Sequence, residues 1–364
     1  MGRSAGMQFT YRNPSRSADP SVTLPGARAL FVGALGYARR PPEPSPPRRD
    51  GPTGDSRPRA AVAMYSWTDH YATLRGALDQ VAATLRDEGW RSQVLIDDNA
   101  LVDRAAAVRA GLGWYGRNTN VLLPGHGSWF VLGSVVTDAP IESIEPEASH
   151  AGGRDASTMT PGPVQDGCGT CRRCVDACPT GALDGDGNLD ARKCLAWLLQ
   201  APGPFPRHLR VAAGSRIYGC DDCQDVCPVN RLSSRRDPPA PAGEDDQRDV
   251  DAVEVVSASD AELLERYGRW YIPGRDPSHL RRNALIAIGN AGDPRSRSAE
   301  GAIRRAMSHP DPLVRSHAVW AAARLGRPDL VALAHGDPDP LVRTEMALAV
   351  TVEVREHRAP PEHP

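Results

Sequence analysis

Two short cysteine runs restrict this chain more than any other feature. CGTCRRCVDACPTGA, residues 168–182, spaces its thiols C-x-x-C-x-x-C-x-x-x-C-P, and YGCDDCQDVCPVN, residues 218–230, supplies C-x-x-C-x-x-x-C-P. Cys194 stands alone between them. Thiolates at x-x spacing on a tight loop each meet a different iron of one cubane. The cysteine on the helix that follows points away and ligates the other cluster. This crossing rule gives one [4Fe-4S] cluster held by Cys168, Cys171, Cys174 and Cys227, and a second held by Cys178, Cys194, Cys220 and Cys223. All eight cysteines are used. Pro179 and Pro228 turn the chain away after each motif. Structural zinc also takes C-x-x-C pairs, but it wants two pairs per tetrahedral site, and the triple run would leave a ligand over.

Disulfides compete only in an oxidising compartment. The N-terminal MGRSAGMQFTYRNPSRS has no apolar signal core, and no stretch approaches the ~18 apolar residues of a membrane helix. The chain therefore reads as cytoplasmic, where clustered thiols mean metal or catalysis. A net charge of −2 gives no global pull toward nucleic acid, so RNA would need a local basic face. No G-x-G-x-x-G follows a strand, so a nicotinamide or flavin is not indicated. Two clusters carry single electrons and must deliver them to something else in the chain.

The rest of the sequence offers an acceptor. Residues 27–37 form an apolar run that reads as a buried strand, followed by a proline-rich loop over 39–59. Leu74, Leu78, Val81 and Leu85 mark an amphipathic helix over 71–88. Val94–Ile96 reads as a short strand ending at Asp97, residues 100–110 as a helix, and Val121–Leu123 and Trp129–Thr137 as strands. Alternating strands and helices predict an α/β (α+β) domain, here taken as 1–145. A linker over 145–165, the cysteine domain 166–232 and a second polar, proline-rich linker follow. The tail, 260–355, is helical and repetitive. Related segments begin at Leu280, Val314 and Val342, the last two preceded by HPDPLVR and DPDPLVR variants, which predicts stacked helical-pair repeats of the HEAT type. A single three-helix bundle is the bland alternative.

IDDNALVDRAAAVRAGLGWYGRNTNVLLPGHGSWFVLGSVVTD, then CGTCRRCVDACPTGAL, LDARKCLAWLL and RIYGCDDCQDVCPVN, resembles the epoxyqueuosine reductases in motifs and in their order. The resemblance runs from about Arg16 to the end. It implies cobalamin in the α/β domain and two [4Fe-4S] clusters fed by an external low-potential electron donor. It also implies a tRNA substrate carrying a queuosine-type wobble nucleotide, whose epoxide oxygen is removed to give queuosine, and a monomeric enzyme. The family's proton donor matches Asp97; a carboxyl buried beside an apolar corrin would have the raised pKa this role needs. From the residues alone, Asp98 and Asp103 compete with it, and any of the three could be a helix cap or turn residue. Arg16, Val121, Leu132 and Ala196 match cobalamin contacts, although the two strand residues equally suit an ordinary core.

This chain departs from the family in places. A family histidine is matched by Tyr71, with His70 beside it, and Ala63 stands where a cysteine is sometimes found. Relatives carry a further stretch before the match to Met7, so a shortened sheet edge exposing apolar surface is expected here. Arg207, His208, Arg210, Arg216, Arg266, Arg269, Arg275, Arg281 and Arg282 are the candidates for a phosphate-facing surface, against the plainer possibility of solvated helix faces. Two other functions compete: a two-cluster electron carrier, and a cobalamin-dependent reductase of the dehalogenase kind acting on a small molecule.

Overall fold

A computed structural model describes residues 2–7, 13–40, 49–50, 55–140, 166–243 and 245–350. The linker expected over 145–165, and the ends of the 1–145 and 260–355 spans, lie outside the described residues. The chain divides into two compact units, each assembled from three separate stretches. One comprises residues 1–44, 62–198 and 219–248; the other comprises 45–61, 199–218 and 249–364. No helix among the described residues is long and apolar enough to cross a membrane.

The first unit is built on a three-stranded sheet. Phe130–Thr137 runs down its centre, flanked antiparallel by Ala29–Gly36 and Ser92–Leu95. The helix His70–Asp87 covers it, starting where the Asp69 carboxylate accepts from the Ala72 amide at 2.9 Å. Gly33 and Gly133 face each other across the sheet. A Cβ on Gly133 would come within 2.7 Å of Ile96 and 2.8 Å of Leu78. The missing side chains therefore let the helix settle onto the backbone, with Leu74, Leu78, Ala82 and Leu85 buried beneath it. Each of those leucines contributes roughly 1.5–3 kcal/mol. Val81, expected on this face, is instead 38% exposed, and the smaller Ala82 takes the inward position.

In the second unit, Arg59–Val62 lies between Asp249–Asp251 and Arg216–Tyr218 in a small sheet. Sequence periodicity does not reveal this strand. The proline-rich stretch, expected to be loop throughout, also carries a two-residue antiparallel ladder, Arg49–Asp50 with Asp55–Ser56. Asp55 accepts from the amide and hydroxyl of Ser298 at 2.9 and 2.5 Å, anchoring the ladder to the helix Arg297–Met307.

The three long repeat helices, Ser278–Ala291, Pro312–Arg324 and Pro340–Val350, pack in succession. The recurring DPLVR has a physical cause. Asp311 and Asp339 cap their helices, accepting from Leu313 and Leu341 amides at 2.8 Å, and the prolines occupy the first turn. The arginine then folds back onto the preceding loop. Arg315 donates to the His309 and Pro310 carbonyls and pairs with Asp337 at 2.7 Å; Arg343 donates to Pro338 O. Gly289 faces Trp320, where a Cβ would stand 2.7 Å from the ring, so the first two helices pack closely.

Several arginines expected to face phosphate are structural. Arg282 is fully buried and donates to the carbonyls of Ala201, Gly203 and Leu199. Arg281 is buried and pairs with Asp260 at 2.6 Å, and buried Arg210 pairs with Glu345 at 3.0 Å. Arg207 shares Glu345 at 2.9 Å. Arg266, Arg269 and Arg275 keep exposed side chains.

Candidate cluster and catalytic site

Cys168, Cys171, Cys174 and Cys227 line a single cavity, together with Arg117 and Asn118. Burial pushes the Cys174 thiol up to about 11, and the neighbouring Cys168, Cys227 and Cys171 add to the shift. A second group surrounds Cys223. Its thiol is driven well up by burial, then by Cys220 and Cys194. Cys194 is raised by burial and in turn feels Cys178. A cubane presents four separate irons, each taking one thiolate. The two donor sets fit iron–sulfur clusters, whose irons would hold Cys174, Cys194, Cys223 and Cys227 as thiolates although burial favours their protonated forms.

Two clasps tie this cysteine segment to the sheet. The first is the run GLGWYGRNTN, residues 111–120. Gly167, just before Cys168, lies against the Trp114 ring, which a Cβ there would meet at 2.4 Å. Arg117 donates to Gly169 O at 2.8 Å and to Gly185 O. The second is buried and centred on Asn230. Its Oδ1 accepts from the Ser128 amide at 2.7 Å, its Nδ2 donates to Gln224 O at 2.8 Å, and Gln224 Nε2 donates to Ser128 O at 3.0 Å. The GSW strand entry is thereby locked to the second cysteine motif.

Asp97 follows the strand Ser92–Leu95 with a φ of 48°, a left-handed conformation uncommon for an aspartate and a local strain. The loop is braced at the two residues that follow Asp97. Asp98 accepts from the Ala100 amide at 2.8 Å, and Ser17 Oγ donates to Asn99 O at 2.5 Å. The Asp97 side chain is exposed, yet enough protein surrounds it to cost its charged form some solvation. That partial loss of water, and then the Asp98 charge, raise its pKa. Asp103, six residues on, is pushed up to about 7 by burial and then by Asp97, against the opposing charge of Arg104. Its Oδ1 is buried with no hydrogen-bond partner among the described residues. Arg104 donates to Thr119 O at 3.1 Å, and its charge also reaches Cys194. The charge of one guanidinium is thus felt by both Asp103 and Cys194.

The remaining sequence candidates fall at different depths. Arg16 is exposed on the short helix Pro14–Ala18, which Ser17 ties to the Asp97 loop. Val121 is 2% exposed, a core residue packed with Ala107 and Val108. Leu132 lies half-buried on the central strand, opposite Ala34, and Ala196 half-buried in the turn of helix after Cys194. Leu112, Tyr115, Leu123, Phe130 and Leu132 pack on the Val121 cluster yet remain only partly covered. This incompletely covered apolar patch fits the face of a corrin. His70 is buried against Tyr37, ring centroids 5.5 Å apart, whereas Tyr71 is half-exposed. Sequence reasoning passed over Arg104, Arg117, Asn118 and Asn230. The polar RN pair inside a glycine-rich, otherwise apolar run was the available signal for two of them.

Comparison with known proteins adds to this geometry. Residues 167–230 match the family described as a 4Fe-4S double cluster binding domain, and residues 274–351 match HEAT repeats. The chain thus has a mixed α/β fold with a segment for two [4Fe-4S] clusters and a helical-repeat tail. An epoxyqueuosine reductase from Xanthomonas campestris is 33% identical over 330 residues, 88% of this chain and 84% of that protein. A crystal structure of epoxyqueuosine reductase with an epoxyqueuosine-modified tRNA-Tyr stem loop superposes with a TM-score of 0.76 at 28% identity, covering 94% of this chain and 86% of that one. A Bacillus subtilis epoxyqueuosine reductase, solved with its catalytic aspartate loop swung out of the active site, also gives 0.76, at 27% identity and covering 94% and 87%.

Proposed function

This chain belongs to the epoxyqueuosine reductase family, and on that premise we propose that it removes the epoxide oxygen of epoxyqueuosine at the tRNA wobble position, with Asp97 as the proton donor. The balance is two electrons and two protons in: both C–O bonds break, a C=C bond forms, and the oxygen leaves as water. The eight cysteines would hold two cubanes as the crossing rule assigns, and these would supply one-electron carriers between an external low-potential donor and the site. A cobalamin bound against the Asp97 loop would supply a low-potential cobalt centre for delivering the electrons. Leu132, Ala196 and the Val121 cluster would hold its apolar face, with Arg16 at the polar rim.

The chain's own contribution is to the proton. A departing epoxide oxygen is a poor leaving group until protonated, and an ordinary aspartate is ionised at neutral pH. Crowding and the Asp98 charge favour the protonated form of Asp97, which makes it a usable acid. The observation that carries the reading is that the Asp97 loop and all eight cysteines fall in the same compact unit, residues 62–198 and 219–248. It supports an acid and an electron path brought together in one unit.

Asp97→Asn in anaerobically reconstituted protein is expected to lower turnover by ~10²–10⁴-fold. Both clusters and corrinoid absorbance should be retained, with the wobble nucleoside of the tRNA followed by mass. The active form being the acid, wild-type turnover should fall as pH rises through the elevated pKa of Asp97. Undiminished turnover in the variant would remove Asp97 from the mechanism.

A further inference from the structure

Arg117 and Asn118 share the cavity of Cys168, Cys171, Cys174 and Cys227 but have no part in the proton chemistry. Asn118 is 4% exposed. Its Oδ1 accepts from the Asn120 amide at 3.2 Å, which fixes the orientation of its side-chain amide. Its Nδ2 is buried and has no partner among the described residues. The neighbouring Arg117 spends Nη1 and Nη2 on the Gly185 and Gly169 carbonyls, and its Nε is likewise buried and unpartnered. Buried N–H groups in native structures are rarely left without an acceptor. Two such donors here belong to residues lining one cavity whose other polar lining is cysteine sulfur, and Gly116 and the Asn120 contact hold the loop that presents them.

We propose that the Asn118 side-chain amide, with Arg117 Nε–H beside it, donates hydrogen bonds to sulfur of the cluster held by Cys168, Cys171, Cys174 and Cys227, and thereby raises that cluster's reduction potential. This rests on the two-cluster reading of the cysteines. An N–H directed at a thiolate or sulfide draws electron density from the iron core. The reduced state carries one more negative charge and gains more from the contact than the oxidised state does. The loop GLGWYGRNTN would then set the potential of the cluster as well as clasp its segment. The residues involved are positioning and tuning groups; neither touches substrate.

The test is a potentiometric titration, followed by EPR, of the full chain reconstituted with iron and sulfide. Iron and sulfide analysis comes first. Wild-type protein that cannot hold two cubanes would overturn the cluster assignment itself, separately from the tuning. With both clusters present, Asn118→Leu should move one of the two midpoints to more negative potential and leave the other in place. Asn118→Ser, which keeps a donor, should restore part of the shift. Unchanged midpoints in Asn118→Leu with both clusters intact would overturn the proposal. Where the leucine variant fails to assemble, pulsed EPR of the reduced wild type decides. Nitrogen modulation that changes when the asparagine side-chain amides carry ¹⁵N supports the contact, and a spectrum blind to the label overturns it.

Discussion

Asp103 holds a carboxyl oxygen away from water, with no donor to meet it among the described residues, and with Asp97 as a like-charged neighbour. Its pKa rises from an ordinary 3.8 to about 7 in the folded chain. Between those values the folded state holds a proton that the unfolded state has lost, so stability falls as pH rises from about 4 toward 7 and is level above that. Asp103→Asn removes the ionisation while keeping the shape. A tenfold change in proton affinity on folding is worth ~1.4 kcal/mol. Because Asp103 is partly accessible, screening reduces the gain expected at neutral pH to about 1–2 kcal/mol. Melting of wild type and variant across pH 4.5–8 checks this, and a gap that failed to widen toward neutrality would count against it. The acidic loop was readable in the sequence because a short strand ending at an aspartate is a local pattern. The rank of the three carboxyls was not readable, since it depends on how much protein surrounds each.

Among the elements, the turn around Gly127 is tightly constrained. It has a φ of 75°, and a Cβ there would stand 2.1 Å from Asn230 Oδ1 and 3.0 Å from Asn230 Cα. Gly127→Ala therefore combines an unfavourable left-handed backbone with a collision against a buried side chain that is already hydrogen-bonded on both ends. A loss of roughly 2–4 kcal/mol is expected. The Asn230 clasp anchors the second cysteine motif, so reconstituted variant should also lose iron more readily to a chelator; chemical denaturation and chelation kinetics measure the two effects. The cysteine spacing was fully legible because ligation geometry is set within a few residues. The clasps were not, because Ser128 meets Gln224 and Asn230 from about a hundred residues away in the chain. Helical periodicity likewise finds the face of a helix but not its edge, where Ala82 is buried and Val81 is left exposed.

At the scale of the whole molecule, the repeat unit is not contiguous. Its first repeat helix carries Arg282 and Asn283, both fully buried, and their acceptors are carbonyls of Leu199, Ala201, Gly203 and Ile217. A fragment beginning at residue 249 would keep the guanidinium and lose those carbonyls. Leaving a buried charge uncompensated costs about 3–5 kcal/mol, a large share of the stability of a small domain. The fragment 249–364 should accordingly show loose tertiary packing by near-ultraviolet circular dichroism, whereas a fragment that melts as cooperatively as the full chain would contradict this. From the sequence, Arg282 looked like one more cation for phosphate. A run of arginines announces charge but not the carbonyl ends that fold against it from a segment far upstream.

The interleaving of the two units has a consequence for how the protein is made. As the polypeptide leaves the ribosome, Cys168 to Cys178 emerge with their partners Cys220 to Cys227 still untranslated, and the stretch 199–218 emerges before the helix that will receive it. A nascent chain at that stage offers iron only an open, half-finished nest of thiols. Metal insertion is thus deferred until the second cysteine run has followed the first, and the cell must shield reactive sulfur through that interval.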